Sequence, residues 1–272
     1  MITQYEIGVI GGGNAAEGII ASLLRRSILL DDRLIVSDPN PARRDLFADR
    51  YQIAVTEDNR HVVANSYLII LAVKPQIHRQ VVAGIADAVR EDHVIVSIMA
   101  GVKTPTLEAQ LPHVKARVVR VMPNLPMHVG AGIAAVCRGA YCSDNDLLHA
   151  KRIFDAGGKT VLIDDESLMD AVTAVSGTGP AYFYYFVDAI VAAGEDAGLS
   201  HHQAVLLAKN ACLGAATMMV ESADPPAVLR DKVKSPGGTT EAALERMAAD
   251  HVFDHIRRAV LAAHQRSRDL GQ

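Results

Sequence analysis

The chain has 272 residues, of which 50% are hydrophobic and 21% charged, and its formal net charge is −4. That is the balance of a globular chain long enough for one large domain or two ordinary ones, and the lack of a basic stripe or interleaved aromatic and basic residues predicts no nucleic-acid partner. The longest uninterrupted apolar runs, such as 67–73, fall short of the ~18 residues of a membrane span, no basic stretch followed by an apolar run precedes the first strand, and Cys137, Cys142 and Cys212 match no zinc spacing, so a cytoplasmic protein without membrane or metal is expected.

Apolar residues at 5–10 predict a first strand and the pattern at 15–26 a helix. Between them lies Gly11-x-Gly13-x-x-Ala16, continued by Asn14 and Ala15. This is the spacing of a dinucleotide loop. Gly11 permits the tight turn, Gly13 lets a pyrophosphate approach the backbone, and Ala16 lets helix pack closely on strand; the phosphates then meet free N–H groups at a helix N-terminus. A second strand at 34–37 ends in Ser37-Asp38, where such folds read the adenosine ribose. Asp38 suits the 2′-hydroxyl of NAD, whereas Ser37 with Arg43 and Arg44 suits the 2′-phosphate of NADP, and both readings stay open.

Helices at 41–50 and 58–64 precede a strand at 67–73, which closes in Leu71-Ala-Val-Lys-Pro75. A helix at 77–89, a strand at 93–98, a helix at 104–110 and a strand at 117–121 follow. Two further strands are predicted at 132–137 and 159–162, around a helix that opens with the capping box Ser143-Asp-Asn-Asp146. The strands are short, rich in Val and Ile and continuously apolar, as in a parallel sheet covered on both faces. The alternating order predicts an α/β fold, a doubly wound, mostly parallel sheet of Rossmann type.

After about Asp164 strand signals stop and helical segments take over at 180–197, 201–222, 226–234, 240–249 and 252–269. Ser200-His-His-Gln203 reads as a second capping box. The expected division is a dinucleotide-binding domain at 1–163 and a helical domain at 164–272. Tyr182-Phe-Tyr-Tyr-Phe186 is apolar on all sides, and a subunit interface is one way to bury it.

Six stretches resemble the pyrroline-5-carboxylate reductase family: Gly11-Gly-Gly-Asn-Ala-Ala16, Leu71-Ala-Val-Lys-Pro75, Ala100-Gly-Val102, Met122-Pro-Asn124, Ser176-Gly-Thr-Gly-Pro-Ala-Tyr182 and Ser235-Pro-Gly-Gly-Thr-Thr240. Ala15 departs from the family's usual Met. The resemblance implies hydride transfer from NADPH, or NADH, to 1-pyrroline-5-carboxylate, giving L-proline. It also implies an all-helical C-terminal domain that binds substrate and pairs two copies, as a homodimer or a multiple of it. Asn59, Ala72, Val73, Lys74, Ala100 and Asn124 would then contact the cofactor, although Lys74 also reads as a solvated lysine and Asn59 and Asn124 as loop amides. Ser235, Gly237, Gly238, Thr239 and Thr240 would form a nest for the substrate carboxylate, with Thr240 donating to the ring nitrogen. Helix caps are the plainer reading of these hydroxyls.

Two other constellations carry less. Lys209 invites comparison with β-hydroxyacid dehydrogenases, whose helical lysine is the acid–base, but Leu213 and not Asn lies one turn on. His251 and His255 share a helical spacing but lack the glutamate of zinc-protease helices. A dehydrogenase acting on C=O and a non-catalytic dinucleotide sensor are the competing function classes.

Overall fold

The computed structural model describes residues 4–271. The chain folds into two compact units, one running to Thr178 and resuming at Ala263, the other Gly179–Ala262. In the first unit an eight-stranded sheet comprises β1 Tyr5–Ile10, β2 Leu34–Ser37, β3 Ala54–Thr56, β4 Ser66–Leu71, β5 Val94–Ser97, β6 Arg117–Met122, β7 Gly132–Arg138 and β8 Gly158–Leu162. Its order is β3-β2-β1-β4-β5-β6-β7-β8, all parallel except the β6–β7 pair. The chain reverses direction across the sheet between β1 and β4, the switch point at which ligands bind in such folds.

Side chains alternate across the sheet and bury both faces. Ile7, Val9, Leu34, Val36, Leu68 and Ile70 join the core beneath α1 Asn14–Arg25 and α2 Pro41–Tyr51. Ile10, Ile35, Ile69, Leu71 and Ile95 join the opposite core beneath α3 Asn59–Asn65, α4 His78–Ile85 and α5 Thr104–Ala109. This two-sided burial explains the unbroken apolar strands. The helix α6 Asp144–Asp155 starts with the expected capping box, Ser143 and Asp146 each accepting from the other's backbone N–H.

Two readings of the sequence need correction. The strand β3 went unpredicted, because three residues are too few to show a period. The helix expected at 77–89 is only α4, flanked by tight turns at Pro75–Ile77 and Ala86–Ala88. The compact first unit also runs on past the expected boundary at 163/164 and keeps α7 Met169–Val172 and the π-turn Thr173–Gly177. A buried network accounts for this. Fully buried Arg120 pairs with Glu166 at 3.2 Å and with Asp170 at 3.4 Å. Asp170 in turn accepts from the Ser267 hydroxyl at 2.8 Å, which fastens the chain's last turns to the same unit.

The second unit holds α8 Gly179–Asp196, α9 His201–Glu221, α10 Pro226–Lys232, α11 Thr239–Ala249 and the first part of α12 Val252–Leu270. Ser200 and Gln203 form the capping box expected before α9. By length and composition α9 is apolar enough to cross a membrane, a feature that a search for uninterrupted apolar runs misses.

Candidate active site

In the first unit the loop between β1 and α1 is shaped by Gly11. Its φ of +97° lies in the left-handed region, and a Cβ there would stand 2.8 Å from the Ala72 carbonyl oxygen. Gly11 N–H donates to Ser37 O at 2.8 Å, and Ala72 N–H donates to Ile10 O at 2.8 Å, so the ends of β1, β2 and β4 are tied together. Gly13 is the N-cap of α1 and faces open space, with no heavy atom within 4 Å of where its Cβ would be. Among the described residues, the N–H groups of Gly13, Asn14, Ala15 and Ala16 donate to no protein acceptor. A helix start with free amides and no side chain in front of it fits a dinucleotide pyrophosphate.

Two clefts flank this loop. One, of about 380 Å³, is lined by Gly11, Ser37, Asn59 and Val73 together with Pro39 and Arg60. The other, of about 260 Å³, is lined by Asn14, Ala15, Asn124 and His128 together with Gly177. The structure thus gathers ten of the expected residues around the loop: Gly11, Gly13, Asn14, Ala15, Ser37, Asp38, Asn59, Ala72, Val73 and Asn124. Asn124 is held by its own bonds, donating from Nδ2 to Ser176 O at 3.2 Å and accepting from Ile133 N–H at 2.9 Å. Lys74 is exposed and opens the turn after β4, and half-buried Ala100 lies just beyond β5.

The rival groups at the end of β2 are already engaged. Asp38 accepts from Gly12 N–H at 2.7 Å and from Asn40 N–H at 2.8 Å. Arg43 donates to Gly12 O at 2.5 Å and pairs with Glu17 at 2.9 Å, while Arg44 donates to Asp38 O at 2.8 Å. Buried Ser37 donates to Asn59 Oδ1 at 2.7 Å. These groups therefore also build the loop. Burial is the largest single influence on the Glu17 carboxyl and would raise it, but the bonds from Arg43 and the Tyr51 hydroxyl, with the Arg43 and His128 charges, together outweigh it and hold the carboxyl below the usual range.

In the second unit the loop 235–238 leads into α11. Gly237 adopts a φ of +69°, and a Cβ on Gly238 would collide with the Ser235 hydroxyl. Gly237 N–H donates to Glu241 Oε2 at 2.7 Å, and Gly238 N–H donates to Ser235 O at 2.9 Å. The Gly237 amide bond, and after it Lys234, hold the Glu241 carboxyl below its ordinary range. Among the described residues the amides of Ser235, Thr239, Thr240 and Glu241 have no protein acceptor, whereas those of Gly237 and Gly238, also expected in the nest, are spent within the loop. The N-cap of α11 is Gly238, with no side-chain cap, so neither Ser235 nor the threonines serve as helix caps. Thr240 is half-buried, and its hydroxyl bonds no other group among the described residues.

The remaining candidates separate from these sites. Lys209 is exposed on α9. His255 Nδ1 faces Arg258 at 3.1 Å, and no cluster of three metal-ligating side chains occurs among the described residues. Sequence reasoning missed His128, whose only signal is a polar residue within an apolar turn after Asn124.

A family model, pyrroline-5-carboxylate reductase dimerisation, matches residues 166–270. A second, the coenzyme F420-dependent NADP oxidoreductase model, matches residues 6–101. The pyrroline-5-carboxylate reductase of Synechocystis sp. is 39% identical over 269 residues, 99% of each chain. Among solved structures, the Coxiella burnetii pyrroline-5-carboxylate reductase has a TM-score of 0.89 at 31% identity, over 99% of both chains. The Plasmodium falciparum pyrroline carboxylate reductase, solved with NADP bound, has a TM-score of 0.90 at 26% identity, over 100% of both chains. With this identity along its whole length, and a dimerisation model over the helices that follow its sheet, the chain belongs to the pyrroline-5-carboxylate reductase family.

Proposed function

We infer that this chain reduces 1-pyrroline-5-carboxylate to L-proline with NADPH, the last step of proline biosynthesis. The observation that carries the reading is the start of α11: three successive free amides at Thr239, Thr240 and Glu241 beside an unengaged Thr240 hydroxyl. That set suits a small ring bearing one carboxylate and one basic nitrogen. Amides at a helix N-terminus hold the carboxylate, and the hydroxyl donates a hydrogen bond to the nitrogen. Reduction delivers a hydride to the C=N carbon and a proton to the nitrogen. Bound NADPH supplies the hydride. An imine nitrogen is basic, so positioning and one donor suffice without a strong acid.

The amides of Gly13–Ala16 would hold the pyrophosphate. Ser37, Asp38 and Asn59 would lie along the adenosine, and Ala72, Val73, Lys74, Ala100 and Asn124 along the rest of the cofactor. The dimerisation domain fits self-association as a homodimer or a multiple of it, in the cytoplasm, with the apolar face of α9 covered by a second copy and not by lipid. The test is NADPH oxidation by purified protein with 1-pyrroline-5-carboxylate, with a 3-keto acid, and with neither. Turnover is expected only with the cyclic imine. Turnover with the keto acid alone would favour the dehydrogenase class, and none with either would favour a sensor.

A further inference from the structure

We propose that His128 is a positioning residue for the dinucleotide loop, bracing the first turn of α1 so that its free amides keep their aim. The proposal rests on the cofactor reading above. His128 belongs to the tight turn Leu125–Val129 that follows Asn124. Its Nε2 stands 2.9 Å from the carbonyl oxygen of Asn14. A carbonyl only accepts, so Nε2 carries the proton and donates. Asn14 is the first residue of α1, and its carbonyl closes the turn that presents the free amides of Gly13–Ala16.

The approach is built into α1. A Cβ at position 18 would lie 2.9 Å from both Cδ2 and Nε2 of His128, so the ring reaches Asn14 only because residue 18 is glycine. At the far end of the same helix, Arg25 Nη1 donates to His128 O at 2.6 Å and Nη2 to Met127 O at 3.4 Å. The turn is therefore fastened to both ends of α1. Asn124 immediately precedes the turn and is itself fixed to Ser176 and to β7. The helix start and the Met122-Pro-Asn124 loop, which face one cleft, are thus held in a single register.

The test measures NADPH affinity by calorimetry on unliganded protein, beside steady-state kinetics and melting temperature. His128→Ala should weaken NADPH binding roughly five- to tenfold, as expected for losing one hydrogen bond that aligns an anion site. It should raise KM for NADPH far more than it lowers kcat. His128→Gln keeps an N–H donor and should restore most of the affinity. Gly18→Ala leaves His128 in place but pushes the ring off Asn14. It should weaken NADPH binding, and because the new Cβ also crowds Met127 Cγ, the melting temperature is read beside the affinity. A merely structural role predicts a lower melting temperature with unchanged NADPH affinity in both His128→Ala and Gly18→Ala. Wild-type affinity in His128→Ala, or equal losses in His128→Ala and His128→Gln, would overturn the proposal while leaving the cofactor reading intact. Failure of the wild-type protein to bind NADPH would overturn both.

Discussion

At Thr240 the hydroxyl stands at the second position of α11 with no acceptor or donor among the described residues, while the amides on either side of it are free. A hydroxyl left unpaired in this way is available to a ligand, and a ring nitrogen whose basicity grows as it is reduced would bond it more strongly in the transition state than in the ground state. Thr240→Val keeps the shape and removes the donor. We expect kcat to fall by roughly ten- to a hundredfold, the equivalent of about 1–3 kcal/mol, with NADPH affinity unchanged. Steady-state kinetics beside a binding titration decide it; wild-type kcat and kcat/KM would move the proton donor to water. The end of β2 shows the limit of residue-level reasoning. Asp38 and Arg43 look in the sequence like opposed readers of a ribose, yet both bond Gly12, Asp38 at its N–H and Arg43 at its carbonyl, so each also shapes the glycine loop.

The turn entering β5 offers a test at the scale of an element. His93 is buried, its Nδ1 accepts from Arg90 N–H at 3.1 Å, and its carbonyl accepts from Arg117 of β6 at 3.2 Å. Burial first, and then the nearby Arg90 charge, push its pKa down to about 4 from 6.5. The folded state therefore keeps His93 neutral where the unfolded chain binds a proton. The stability it contributes is complete above pH 6.5 and is lost as pH falls toward 4, up to about 3 kcal/mol in all. His93→Asn retains an acceptor for Arg90 without a titrating group. Urea midpoints at pH 7.5 and 5 should show the wild type losing roughly 2 kcal/mol more than this variant between the two. An equal loss in both proteins would remove His93 from the acid response. Elements of this kind were legible in the sequence where a period or a cap marks them. The strands β1, β2 and β6, and the boxes at Ser143 and Ser200, stand out for that reason. That the Gly237 amide is spent on Glu241 and the Gly238 amide on Ser235 is visible only in the fold. How far the first unit extends past residue 163 is not legible, because Arg120, Asp170 and Ser267 are far apart in sequence and nothing local announces their meeting.

The whole molecule exposes more apolar surface in its second unit than one chain can cover. Phe183, Tyr184, Tyr185 and Phe186 on α8 are between 44% and 80% exposed. On α9, Leu206, Leu207, Leu213, Met218 and Val220 are exposed as well. Exposed apolar side chains in this number on a single chain call for another apolar surface, from a second copy or from lipid. The length and composition of α9 admit lipid, but the dimerisation model spans all of α8 and α9 and favours a second copy. The two occupants predict different behaviour. A self-associating protein sediments at micromolar concentration, without detergent, as a dimer or a multiple of it. Tyr185→Lys should then shift it toward monomer, because a lysine ammonium in an apolar interface loses its hydration without gaining a partner. If the substrate site is complete only in the assembly, activity should fall in step with the dimer fraction and recover as protein concentration rises. A stable, fully active monomer would refute the pairing. A wild-type protein that stays in solution only with detergent would give the surface to lipid.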